Sequence, residues 1–334
     1  MRSWVLSAAK PIEEKPLSLV EVRMPEPGPE EVRLRVLTCA MCRTDLHTVE
    51  GEIPLPKLPI TPGHQVVAAV DKIGGDARGL KLGQRVGVPW LASTCGECDY
   101  CKSGRENLCD HGRFTGQHVN GGYAEYMLAR ADFVYPIPEG YDEIHAAPLL
   151  CSGVIGYRSL KLAQVPKGGK LGLYGFGSSA HVTIQVARHL GAECYVITRG
   201  EAGQNHARKL EAVWAGGPED APPALLDSVI IFAAAGELVP RALTHVRKGG
   251  IVTCAGIHMS DIPEFPYHIL WGERMIRSVA NSTRDDVREL LDIAARIGLK
   301  ADVTVFDFEH LNEHLLALKQ GLFVGTGVIR VAGS

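Results

Sequence analysis

Between Lys170 and Asn281 the chain alternates apolar, strand-like runs with amphipathic helical ones, and few folds survive that pattern. KLGLYG is followed by SSAHVTIQVARHLG, then ECYVIT, EAGQNHARKLEA, DSVIIFAA, LVPRALTHVRKGG, GIVTCAG and IRSVAN. Strands that recur at this pitch with helices between them form a parallel sheet with crossover connections. The first strand, Leu171 to Tyr174, runs into Gly175-Phe-Gly177-Ser-Ser-Ala180 and then into a helix. That is the strand–turn–helix setting of the G-x-G-x-x-G/A dinucleotide fingerprint, so a Rossmann doubly wound sheet is expected. Gly175 permits the tight turn, Gly177 lets backbone N–H groups approach a pyrophosphate, and Ala180 is small enough for the helix to pack on the strand. The second strand ends at Thr198-Arg199, without the carboxylate that usually meets a ribose 2′-hydroxyl. An arginine there can pair with a 2′-phosphate or stack on adenine, which favours NADP(H) over NAD(H). A solvated Arg199 on a turn that binds nothing is the competing reading.

At 334 residues the chain exceeds one comfortable hydrophobic core, so two domains are expected. Residues up to about 150 read as short β stretches, such as Val32 to Leu37 and Val66 to Val70, separated by turn-rich segments. The texture suggests an irregular antiparallel β domain. TRDDVRELLDIAARIG reads as a helix capped by Thr283, with Val287, Leu290, Leu291 and Ala294 on one face. The tail from ADVTVFDF to GVIRV returns to β texture and is expected to complete the first domain. The expected division is 1–150 with 281–334 as one domain, and 151–280 as the dinucleotide-binding domain. A net charge of −3 gives neither a polycation for nucleic acid nor a basic face for a membrane. The N-terminal MRSWVLSAAKPIEEKP develops no apolar signal region, and the expected location is cytoplasmic.

In a reducing compartment, nine cysteines are better candidates for metal ligands or catalytic thiols than for disulfides. Cys95, Cys98, Cys101 and Cys109 lie close enough for one loop to wrap a single ion tetrahedrally. Four thiolates leave no open position, so the expectation is structural zinc. An iron–sulfur electron carrier is the rival, because C-x2-C-x2-C also begins a ferredoxin pattern, but that pattern closes with C-x3-C-P, and here the fourth cysteine follows a longer gap and precedes Asp110.

Three other stretches carry scattered donors: Cys42-Arg43-Thr44-Asp45-Leu46-His47, Gly63-His64-Gln65 and Pro148-Leu-Leu-Cys151. Two thiolates and one imidazole make the donor set of a catalytic zinc with a vacant fourth position. Sequence separation alone does not bring them together. Here the chain resembles the zinc-dependent medium-chain alcohol dehydrogenases over nearly its full length. C-R-T-D-x-H, G-H, the four-cysteine lobe, G-G-Y-A-E-Y at 121 to 126, the late cysteine and the dinucleotide turn occur in that family's order.

The resemblance implies a GroES-like catalytic β domain, two zinc ions per chain, and hydride transfer between an alcohol or aldehyde and NAD(P). Cys42, His64 and Cys151 match the catalytic zinc ligands, and Asp45 matches the acid that orients the histidine ligand. Thr44 matches the hydroxyl beside the substrate oxygen, His47 the outer end of the proton relay, and Arg43 a cofactor phosphate contact. Trp90 sits where the family lines its pocket, and a bulky ring there favours small or slender primary alcohols. A homodimer or homotetramer follows from the resemblance as well. The family often has Glu where this chain has Gln65, which puts rate in doubt more than reaction class. Cys39 and Cys42 also form a C-x2-C pair, but no βαβ context supports a thioredoxin-like role. A relative without catalytic metal that reduces activated double bonds is the remaining alternative.

Overall fold

The computed structural model describes residues 1–331. The chain divides into two compact units, one of Met1–Cys151, Asn281–Ala295 and the stretch from Lys300 onward, the other of Ser152–Ala280 with Arg296–Leu299.

In the first unit the longest strand, Glu31–Ala40, alternates in the expected way, with Val32, Leu34 and Val36 turned into the core. It pairs antiparallel with Val66–Ile73, Tyr126–Arg130 and Thr326–Arg330, and Arg85–Val88 and Tyr135–Pro136 extend the sheet beyond Val66–Ile73. Val303–Phe306 adds the other edge, parallel to Thr326–Arg330. One core cluster, including Trp4, Leu6, Val36, Val66, Val88 and Phe308, holds the unit together. The helix Arg284–Ile297 starts on a reciprocal cap: Asp286 N–H donates to Thr283 Oγ1, and Asp286 Oδ2 accepts from Thr283 N–H. Val287, Leu290, Leu291 and Ala294 are its buried residues, along with Asp286 and Ile293.

Part of the tail departs from its β-type reading. Leu311–Gln320 is a helix with Leu311, Asn312 and Leu315 buried, ended by Gly321 in the left-handed region. A second helix not anticipated from the sequence, Ser152–Ala163, follows Cys151 directly.

The second unit is a six-stranded parallel sheet. Numbering its strands in chain order as Lys170–Tyr174, Glu193–Ile197, Trp214–Gly216, Leu226–Ile231, Val246–Cys254 and Met275–Ser278, the spatial order is 3-2-1-4-5-6. This is the doubly wound Rossmann order, with its topological switch between the first and fourth strands. The apolar run of each central strand is buried because helices cover both faces of such a sheet, and Tyr174, Ile197, Val229, Ile231 and Val252 share one cluster. Among the described residues no helix is long and apolar enough to cross a membrane.

Candidate active site

The strand Glu31–Ala40 runs through Met41 to Cys42, the N-cap of the helix Arg43–Glu50. This helix start places three candidate residues at fixed offsets. Cys42 leads, Thr44 and Asp45 fall in the buried first turn, and His47 follows one turn after Thr44. His64 arrives on Gly63-His64 just before the strand Val66–Ile73, and its approach depends on the Gly121-Gly122 pair. Gly121 N–H donates to Thr61 O, Gly122 N–H donates to Gly63 O at 2.9 Å, and a Cβ on Gly121 would stand 2.0 Å from Gly63 O. No side chain fits there, which gives the G-G-Y-A-E-Y motif a packing reason. Cys151 ends the short 3-10 turn Ala147–Leu150, whose four residues are buried.

These three distant residues converge. Cys42 Sγ, Cys151 Sγ and a His64 ring nitrogen lie within 4.8 Å of one another. Cys42 Sγ is 3.3 Å from His64 Nε2, near the roughly 3.6 Å expected between a sulfur and a nitrogen on one tetrahedral zinc. His64 Nδ1 faces Asp45 Oδ1 at 3.2 Å, and Asp45 Oδ2 accepts from the Cys42 N–H at 2.9 Å. Asp45 is 1% exposed and His64 2%, so both bonds lie out of water. The carboxylate therefore holds a proton on Nδ1 and leaves Nε2 turned towards Cys42 Sγ, the side from which a metal would displace any second proton.

The charge balance of these donors asks for a cation. Burial opposes a charged imidazole, yet Asp45 and Cys42 outweigh it and raise His64 to about 10. The Cys42 thiol is held well below its ordinary value, first by a hydrogen bond with Cys151, against burial, and then by His64 and the Thr44 hydroxyl. A buried donor set that retains an extra proton fits a divalent ion competing for the same lone pair. Gln65 is buried with its amide donating to Ala40 O at 3.3 Å, so it adds no negative charge here. Cys39 is buried and its thiol is pushed well up by burial, which argues against a redox pair with Cys42.

Around these donors stand residues the sequence reading placed only in part. Trp90 lies 6.2 Å from the His64 ring and stacks on Phe114 at 4.5 Å, and Phe114 meets His118 edge-on at 5.4 Å. Phe114 and His118 extend the aromatic wall and carry no motif that would have marked them. His47 Nδ1 meets Glu52 Oε2, a partner supplied by the turn that ends the helix. Arg43 is exposed, with its Nη2 3.5 Å from Lys319 O.

The four-cysteine lobe closes on itself. Cys95–Cys101, Cys98–Cys101 and Cys95–Cys109 sulfur separations are 3.9, 3.5 and 3.5 Å, against edges of about 3.8 Å in a tetrahedral zinc–sulfur site. The N–H groups of Cys98 and Cys95 point at the sulfurs of Cys95 and Cys109, at 3.4 and 3.5 Å. Backbone N–H groups of Glu97 and Cys98 hold the Cys95 thiol down, to about 6. Arg284 clamps the lobe's base. Its Nε and Nη2 reach both oxygens of Glu106 at 2.7 to 3.1 Å, and its own N–H adds a bond at 2.8 Å.

In the second unit, Gly175 sits at φ +88°, and a Cβ there would lie 2.9 Å from Ala233 N. Gly177 caps the helix Ser178–His189, and a Cβ on it would meet nothing within 4 Å, so this N-terminus is open to an anion. Ala180 is fully buried. Thr198 donates its N–H to Gly216 O, and Arg199 is exposed at the carboxyl end of the second strand.

A Rossmann sheet in one unit, with an open set of two cysteines and a histidine and a closed set of four cysteines in the other, defines a metal-dependent dinucleotide oxidoreductase. Comparison with known proteins narrows this. Residues 28–139 match the alcohol dehydrogenase GroES-like domain. A Mycobacterium tuberculosis protein named "Probable alcohol dehydrogenase AdhA" is 43% identical over 337 residues, covering 99% of this chain and 97% of the relative. Cinnamyl alcohol dehydrogenase from Sorghum bicolor superimposes with a TM-score of 0.90 at 27% identity, covering 100% of this chain and 98% of that one. Acetophenone reductase from Geotrichum candidum, in complex with NAD, gives 0.87 at 25% identity, covering 98% and 96%. The chain belongs to the zinc-dependent medium-chain alcohol dehydrogenase family and is an NAD(P)-linked oxidoreductase of alcohols and aldehydes.

Proposed function

We propose that Cys42, His64 and Cys151 hold a catalytic zinc and Cys95, Cys98, Cys101 and Cys109 a structural one, two ions per chain. The observation that carries this reading is the buried Asp45–His64–Cys42 chain, with Nδ1 on a carboxylate and Nε2 3.3 Å from a sulfur. When bound, zinc supplies Lewis acidity towards an alcohol or carbonyl oxygen, and the nicotinamide takes or returns the hydride. Asp45 fixes the tautomer and orientation of His64. Thr44, buried beside Cys42, holds the proton given up by a substrate hydroxyl, and His47, oriented by Glu52 at Nδ1, exchanges a proton at Nε2. Trp90 and Phe114 narrow the His64 side of the pocket and favour small or slender primary alcohols.

Residues 1–150 with 281–334, together with Cys151 at the boundary, carry the chemistry, and the rest of 151–280 the nucleotide. Gly175, Gly177 and Ala180 shape the pyrophosphate turn, Thr198 and Arg199 meet the adenosine ribose, and Arg43 meets a phosphate. An exposed Arg199 at the strand end, where a ribose-binding acid is usual, favours NADP(H). The substrate is a small alcohol or aldehyde, the assembly a homodimer or homotetramer, and the location cytoplasmic. A panel of primary and secondary alcohols and their carbonyl products, assayed with NAD and NADP side by side on a sample of measured zinc content, tests the reading. The expected result is two zinc ions per chain, turnover that a chelator abolishes, and a higher kcat/KM with NADP. Undiminished turnover in zinc-depleted protein would overturn it.

A further inference from the structure

The reaction leaves one cluster of donors unused. Asp307 lies just after the strand Val303–Phe306, His310 is the N-cap of the helix Leu311–Gln320, and His314 stands one turn further along the same chain. One donor atom from each lies within 4.8 Å of the other two. His310 Nδ1 is 2.8 Å from Asp307 Oδ1, and His314 Nε2 is 3.5 Å from Asp307 Oδ2. Donors about 2.0–2.1 Å from one ion stand roughly 3.4 Å apart in a tetrahedron and about 3 Å apart as octahedral neighbours. Both separations already match that spacing.

The cluster is held in place before any ion arrives. Asp307 Oδ1 also accepts the backbone N–H groups of Glu309 and His310, at 3.0 and 3.1 Å. His314 packs its ring on Phe306, with centroids 4.6 Å apart. Its Nε2 is shut off from solvent, and its 3.5 Å approach to Asp307 Oδ2 is too loose for a good hydrogen bond, so a ligand shared with that carboxylate would satisfy it. Asp307 is 47% exposed and His310 64%, which leaves a path for entry and positions for water. Glu309 and Glu313 flank the cluster, paired with Arg2 and Lys15.

We propose that Asp307, His310 and His314 form a third metal site, separate in its residues from both cysteine-containing centres. Two imidazoles with one carboxylate select borderline divalent ions such as Zn2+, Ni2+ or Cu2+ over Mg2+ or Ca2+. With only three protein donors the ion exchanges with solvent. It ties the turn after Val303–Phe306 to the first turn of a helix whose last turn, through Lys319 Nζ, bonds Glu50 at 2.8 Å.

The test is equilibrium dialysis of tag-free enzyme, holding its resident zinc, against Ni2+, with nickel and zinc counted on the same sample. The expected result is one nickel per chain with zinc content unchanged. In His310→Ala and His314→Ala, nickel affinity falls about tenfold or more while zinc content stays that of the parent. His310 is exposed, so its variant keeps the fold, and a thermal melt of both variants checks this. No bound nickel, equal binding by both variants, or nickel gained only as zinc is lost would overturn the proposal. Because zinc is counted separately, a failure here is distinguishable from a failure of the two-zinc reading.

Discussion

Replacing Asp45 with Asn keeps the shape of the side chain and removes its charge. In the parent, Asp45 is 1% exposed and accepts two bonds, from Cys42 N–H at 2.9 Å and from His64 Nδ1–H at 3.2 Å. An asparagine can accept only through its oxygen. If that oxygen stays on Cys42 N–H, the amide donors face Nδ1–H, and donor meets donor in a buried site. The imidazole relieves this by moving its proton to Nε2, the atom that faces Cys42 Sγ and that must be free to bind metal. Losing a partner of this kind typically costs 10- to 100-fold in metal affinity, about 1.4–2.8 kcal/mol. The assay is competition for zinc against a chromophoric chelator, comparing Asp45→Asn with the parent and using the four-cysteine site as the internal reference. The expected result is one zinc released 10- to 100-fold more readily, the other unchanged, with alcohol oxidation falling alongside occupancy. Two zinc ions held as tightly as in the parent would refute the argument that Asp45 sets the His64 tautomer.

Three further outcomes follow from the same geometry. Burial opposes ionisation of Glu106, but bonds from Arg284 overcome it and hold the carboxyl below its ordinary range, so its stabilisation is full above about pH 4.3 and is lost as pH falls through the folded value. Glu106→Gln should cost about 1–3 kcal/mol in urea unfolding at pH 7, towards the lower end because Arg284 is 30% exposed, and the gap should narrow near pH 4; a gap that is constant with pH would contradict this. Gly121→Ala places a Cβ 2.0 Å from Gly63 O and should destabilise by about 1–3 kcal/mol, read as a lower urea midpoint; an unmoved midpoint would show that the segment yields freely. Arg199→Ala should raise KM for NADP about tenfold or more and leave KM for NAD unchanged, whereas parallel changes with both cofactors would remove the 2′-phosphate assignment.

Local pattern carried much of the fold. The alternation from Lys170 onward specified a parallel sheet, and its 3-2-1-4-5-6 order is the one the Gly175–Ala180 turn belongs to. The clustering of the four thiols of Cys95, Cys98, Cys101 and Cys109 was legible because they lie close together in the sequence. The set of two cysteines and a histidine was not legible from residues alone. Cys42, His64 and Cys151 are joined by the sheet rather than by spacing, and only the order of several motifs pointed to them. Phe114, His118, Glu52 and the Glu106–Arg284 clamp escaped notice because each acts through a partner or neighbour that no motif marks. Leu311–Gln320 was submerged in β texture, since the apolar strands Val303–Phe306 and Thr326–Arg330 bracket it closely.

The most direct measurement is the zinc content of Cys151→Ala, taken together with its NAD(P)-dependent alcohol oxidation. With Cys42 and His64 left as two ligands in a buried site, the account predicts one zinc per chain retained in the four-cysteine lobe and turnover lost, with the protein still folded by circular dichroism and its unfolding midpoint lowered by the loss of one bound ion. Two zinc ions per chain, or alcohol oxidation at the parental rate, would contradict it.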